Sequence, residues 1–122
     1  MNYPTISTQI ARHLVNGAQT NGGATIDNLL KVPRSGYCVG LGGAQALDPK
    51  RGYMEQALEI VDANLGDFPK CAFGAWVDAD NRNALYIEPI EILSDRADAM
   101  SAAAERGELA IYDLENGVEI RL

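Results

Sequence analysis

The chain has 122 residues, 47% of them hydrophobic and 22% charged, which fits one globular domain with a single core and excludes wholesale disorder. Its net charge of −7 is unevenly spread: residues 1–54 hold five Lys/Arg and two acids (+3), residues 55–122 five Lys/Arg and fifteen acids (−10). A field of that sign repels polyanions and attracts basic surfaces, which excludes direct nucleic-acid binding and favours a protein partner.

The amino terminus, Met1-Asn2-Tyr3-Pro4, lacks the basic-then-apolar pattern of an export signal, and apolar runs stop at four or five residues, short of a membrane span. A cytoplasmic location is expected. Residues 6–19 read as a helix: Ile6, Ile10, Leu14 and Ala18 recur every four positions, and Ala11 and Val15 widen the stripe. Thr5 or Ser7 can cap its start, Asn21-Gly22-Gly23 ends it, and Gly17 weakens its last turn. A short β or irregular link follows at Ala24-Thr25-Ile26 and Leu29-Leu30-Lys31-Val32. Pro33-Arg34-Ser35-Gly36 is a turn, and 37–41 a strand with Tyr37, Val39 and Leu41 on one face. Gly42-Gly43 breaks it, and a loop rich in Ala, Gln and Pro leads to Lys50-Arg51.

The second helix spans roughly 52–65, with Met54, Ala57, Leu58, Val61 and Leu65 as its apolar stripe, Gly66 at its end and Pro69 preventing its resumption. Residues 71–77 form a strand, Asp78-Ala79-Asp80-Asn81-Arg82-Asn83 a polar hairpin turn, and 84–93 the returning strand. Pro89 costs that strand a ladder hydrogen bond, which predicts a bulge or an edge position. Ser94 caps a third helix over 95–106, with Asp95 in its first turn and Gly107 past its end. Strand 109–114, the Glu115-Asn116-Gly117 turn and strand 118–122 close the chain, with Val118, Ile120 and Leu122 alternating. Strands joined by tight turns are antiparallel. The expected architecture is α+β: one domain with a single twisted antiparallel sheet of about four to six strands and three helices, ordered α-β-α-β-β-α-β-β.

Three segments carry a resemblance together. They are Ser35-Gly36-Tyr37-Cys38-Val39-Gly40-Leu41, the pair Ala75-Trp76-Val77-Asp78 and Leu85-Tyr86-Ile87-Glu88, and Asp95-Arg96 with Ala99 followed by Leu109-Ala110-Ile111-Tyr112-Asp113-Leu114. In combination they resemble small uncharacterised proteins carried by bacterial phages, plasmids and integrated mobile elements. That resemblance implies no reaction and no catalytic residue. It implies a genomic setting: accessory proteins of mobile elements, which often counter host defence.

Residue chemistry points the same way by elimination. Cys38 and Cys71 sit in apolar stretches and read as buried thiols without a disulfide. The single histidine, His13, has no sequence signature linking it to either cysteine, and one His with two isolated Cys cannot build an ordinary zinc site. Gly40-Leu41-Gly42-Gly43 follows a strand, yet Gln45 stands where a dinucleotide fingerprint needs its last glycine. Asp78-Ala79-Asp80-Asn81-Arg82-Asn83 opens like a calcium loop but lacks the glycine at position six, and Pro89 replaces the closing glutamate. No serine lies in a G-x-S-x-G context. Trp76, Tyr86 and Tyr112 fall in acid-flanked strands, which favours core burial or a protein contact.

The expectation is therefore a non-enzymatic acidic module, without cofactor or metal, that engages a basic surface of a protein target. A nucleic-acid-binding defence protein is its sharpest form, in the manner of anti-CRISPR or anti-restriction mimics. The expected contact acids are Glu55, Glu59 and Asp62 on the second helix, Asp78 and Asp80 in the turn, and Glu88 and Glu91 in the returning strand, all read as solvated. The alternative is a small enzyme or anionic-ligand-binding domain using the Gly40–Gly43 turn with Lys50 and Arg51. An edge beside Pro89, or the last hairpin, offers a place for a homodimer.

Overall fold

A computed structural model of the chain describes residues 5–122. The Met1-Asn2-Tyr3-Pro4 segment read for an export signal lies outside them. Three helices, α1 (Ile6–Asn21), α2 (Tyr53–Asp67) and α3 (Arg96–Glu105), accompany seven strands. These are β1 (Gly23–Ile26), β2 (Tyr37–Gly40), β3 (Gln45–Ala46), β4 (Ala72–Asp78), β5 (Ala84–Leu93), β6 (Ala110–Asp113) and β7 (Val118–Arg121). They form one antiparallel sheet in the order β1-β4-β5-β2-β6-β7, with β3 pairing to β5 off that path. The α+β class expected from the sequence holds, and the β segment between the first two helices resolves into three short strands. No helix among the described residues is long and apolar enough to cross a membrane.

Thr5 is the residue that caps α1: its hydroxyl accepts from the Thr8 N–H at 3.1 Å. At the far end Gly22 adopts φ 84° and returns its N–H to the Ala18 carbonyl, which turns the chain straight into β1. Gly17 does not shorten the helix, because its place is set by that return. A β-carbon built there would lie 2.6 Å from the Ala24 β-carbon. Alanine at 17 gains helix propensity but forces α1 off its own strand, so Gly17→Ala is expected to lose a net of about 1 kcal/mol in urea unfolding.

Helix α2 outlasts its expected end. Gly66 lies inside it, and the last turn closes where the Phe68 N–H reaches the Asn64 carbonyl at 2.7 Å. Its start has no capping side chain. Instead buried Gln56 accepts from the Asp48 N–H and donates to the Asp48 carbonyl, both at 2.8 Å, pinning the preceding loop. Met54, expected in the apolar stripe, is exposed. In α3 the cap is Asp95 and not Ser94, because the Asp95 carboxylate accepts from the Asp98 N–H at 2.9 Å.

All three helices cover one face of the sheet. Phe73, Ala75, Leu85 and Ile87 meet Ile10, Leu14, Ala57 and Val61 of α1 and α2, while Val39 and Ile111 meet Ala99 and Ala103 of α3. The opposite face holds a smaller cluster of Cys38, Ala72 and Ile90, with Ile92 and Leu114 at its margin, and no helical residue joins it.

Pro89 is not on an edge. It is fully buried in β5, opposite Phe73 of β4, and its carbonyl accepts from Leu41 at 3.0 Å. On that side β2 stops at Gly40↔Ile90 and β3 starts at Gln45↔Ile87, so the chain from Leu41 to Ala44 swings out. The missing proline N–H faces this excursion, where no ladder partner is required. At the other edge, Val118 and Leu122 are exposed and only Ile120 packs inward. The final turn is held by buried Asp113, which accepts from the Asn116 N–H at 3.2 Å and its amide at 2.8 Å, interactions that lower the Asp113 pKa.

Candidate functional site

The sheet divides the expected contact acids between its two sides. Glu55, Glu59 and Asp62 lie exposed on α2, about one turn apart. Arg51 reaches Glu59 at 3.6 Å, but both side chains are largely solvated and such a pair contributes little. Asp78 and Asp80 share the β4–β5 turn, where the Asp78 carboxylate accepts from the Asp80 N–H at 3.0 Å. That is an Asx-type turn, with Arg82 and Asn83 in the left-handed region, and it closes on itself rather than around an ion.

Glu91 and Glu88 depart from the solvated acids expected. Glu91 sits on the helix-covered face, where Arg106 meets it at 2.7 Å and also donates to the Gly40 carbonyl at 3.4 Å. This contact ties the end of α3 to β2. Glu88, three positions earlier in β5, points to the other face, as alternation requires. It is half-buried, and among the described residues it has neither a hydrogen-bond nor an ion-pair partner. Glu108, from the link between α3 and β6, comes up beside it. A β-carbon built on Gly40 would lie 2.9 Å from Glu88 Oε2 and would run into Glu108 Oε1. Burial first, and the Glu108 charge second, push the Glu88 pKa up to about 7.

Around Glu88 the uncovered face has a definite relief. Trp76 and Tyr86 are direct cross-strand partners on it, their rings stacked at 5.4 Å with 9° between planes. Trp76 is exposed at 37%. The residue across from it on β1 is Gly23, and across from Tyr86 on β3 is Ala46, so neighbouring strands bring no large side chain over the outer ring faces. The Tyr86 hydroxyl is held by the Asn81 amide at 2.8 Å. Gly74 faces Glu88 across the β4–β5 ladder. A β-carbon built on Gly74 would meet nothing nearer than Ile90 at 3.9 Å, while the Glu88 carboxyl leans the other way, over Gly40 of β2.

Sequence reasoning placed the three strand aromatics in the core or at a contact and missed the stacked Trp76–Tyr86 pair. The signal was present in the alternation, which sets Trp76 and Gly74 on one row and Tyr86 and Glu88 on the next. What alternation cannot supply is which face the helices leave open.

Other chemistry is muted. Cys38 and Cys71 are free and buried, and burial, with Glu88 second, pushes the Cys38 thiol up to about 12, far from a nucleophile at neutral pH. No group of three or more His, Cys, Asp or Glu fit to hold a metal occurs among the described residues. Two depressions stand out, both open to solvent. One of about 280 Å³ lies beside Ser35, Tyr37 and Asp113, and a groove of about 520 Å³ runs along α1 past Arg12 and His13. The Gly40–Gly43 turn does carry positive φ at Gly42 and Gly43, but the Glu88 and Glu108 carboxylates stand over Gly40, where an anion would need positive charge. Comparison with family models, with curated proteins and with solved structures finds no match.

Proposed function

We propose that the protein is a non-enzymatic binding module that engages a basic surface on another protein, one that ordinarily holds nucleic acid. One observation carries this reading. Of the fifteen acids in residues 55–122, only Glu59, Glu91 and Glu119 have an ion-pair partner among the described residues. Most of the remaining carboxylates are exposed, on more than one side of the fold, Asp113 being buried against Asn116, and their field attracts cationic partners and steers their approach. Glu55, Asp62 and Asp80 are among the exposed ones, whereas Glu91 is drawn off by Arg106. The resemblance to mobile-element proteins favours a host defence protein as the target, with the carboxylates standing in for phosphates.

Capture of host proteins on the immobilised chain, over a series of salt concentrations, tests it. Nucleic-acid-binding proteins are expected to be retained at low salt, to fall away as salt rises, and to be displaced by duplex DNA. Retention indifferent to both salt and DNA would sink the reading.

A further inference from the structure

We propose that the protein self-associates through the outer edge of β7, which pairs antiparallel with β7 of a second copy about a two-fold axis at Ile120. β7 closes one end of the sheet and, among the described residues, pairs only with β6. The Leu122 N–H reaches the Leu109 carbonyl at 3.1 Å, one step beyond the Ala110↔Arg121 pair. Alternation then turns the backbone groups of Val118, Ile120 and Leu122 toward β6 and those of Glu119 and Arg121 outward, off the sheet. Such an edge is a template for a further strand, and this one has no proline, lysine or bulge to blunt it.

That phase and the charges fix the register. Outward groups must meet outward groups. Centring the axis on Glu119 or on Arg121 sets like charges opposite each other, which is destabilising. Centring it on Ile120 puts the Glu119 of each copy opposite the Arg121 of the other. These two side chains are exposed and meet at 3.0 Å within one strand, so across the seam the charges alternate in sign. On the helix-covered side the same register sets Ile120 against Ile120 and Val118 against Leu122, in the closely spaced pairs of the ladder. Val118 and Leu122 are each 48% exposed in the single chain, and the pairing covers both. β1, at the other end of the sheet, has no charge to match and little apolar surface, since Gly23, Ala24 and Thr25 precede a buried Ile26. A seam this short is smaller than a stable interface, so association is expected at micromolar concentration or above, with rapid exchange.

The dimer does not depend on the basic partner. Sedimentation velocity over a concentration series tests it at physiological salt, where repulsion between two acidic chains is screened. A monomer–dimer equilibrium is expected. Glu119→Arg alone sets arginine against arginine, and Arg121→Glu alone sets glutamate against glutamate. Each is expected to weaken self-association about tenfold. An equimolar mixture of the two variants, and the double variant Glu119→Arg, Arg121→Glu, are expected to return to within about threefold of the parent, because opposite charges face again. Glu119→Pro removes an outward N–H that the chain's own sheet does not use. It is expected to abolish the dimer while far-UV circular dichroism stays unchanged. A chain that stays monomeric at millimolar concentration would overturn the inference. So would a dimer that Glu119→Pro leaves intact, which would place the contact elsewhere. Single variants that dissociate and do not recover in the mixture would overturn the register and the proposal with it. Capture of basic proteins is a separate readout that none of these outcomes alters.

Discussion

Replacing Phe73 with alanine is expected to lower the unfolding free energy by about 3–5 kcal/mol, measured by urea denaturation. Phe73 is completely buried, the largest such side chain among the described residues, and sits where β1, β4 and β5 meet. Its ring fills the space between that part of the sheet and the core side chains of α1 and α2. The sheet backbone is fixed by its ladders on both sides, and both helices are held by other apolar contacts. The cavity therefore has little freedom to collapse, which places the cost in the upper part of the usual range. A domain of this size has only about 5–15 kcal/mol in total, so the variant should be marginal at room temperature. Phe68→Ala, on an exposed side chain, is the matched control and should be near neutral. A loss below about 1 kcal/mol for Phe73→Ala would mean that this core is not assembled as described.

Replacing Glu88 with glutamine should act in the opposite direction and only at higher pH. The carboxyl titrates near 7 in the folded chain against an ordinary 4.5. Between those values the folded state holds a proton that the unfolded state has released, so stability present at low pH is lost as pH climbs through that window. Above it the ionised, half-buried carboxylate is a standing cost. Glu88→Gln is expected to raise the unfolding free energy by about 1–2 kcal/mol at pH 8 and by nothing measurable at pH 4, a figure reduced from the full linkage value because the group still reaches solvent.

The groups facing Glu88 support this sign. Glu108 comes from the α3–β6 link, Cys38 from β2 is uncharged, and Gly74 from β4 carries no side chain. Arg106 is held by Glu91 on the other side of the sheet. A stability profile for Glu88→Gln that parallels the parent from pH 4 to pH 8 would show that the carboxyl titrates normally.

Much of the fold was legible locally. The four-residue recurrence of Ile10, Leu14 and Ala18 identifies α1 and its buried face, Thr5 and Gly22 mark its ends, and the strand pair around the Asp78–Asn83 turn follows from alternation. The errors share one cause. Ser94 and Asp95 are both competent caps, and which is used depends on where Ala99 and Ala103 must sit on β2 and β6. Gly66 is a plausible helix end, but the final turn is decided by contacts of residues beyond it. Two-residue β3 has no propensity of its own and exists because β5 extends past the end of β2. The expected solvation of the acids fails at Glu88 and Glu91, whose neighbours Glu108 and Arg106 come from the link after α3 and not from the strand itself.

By itself the sequence determined an acidic second half, an α+β order of elements, and the row of each strand residue, because charge, periodicity and alternation are properties of neighbours in the chain. Only the tertiary structure decided which sheet face the helices leave open, that Trp76 and Tyr86 stack there, and that Glu88 has a like charge beside it and no partner. Those facts depend on contacts between segments distant in sequence, and on burial, which sets the cost of an unpaired carboxylate and is not defined until the chain has folded.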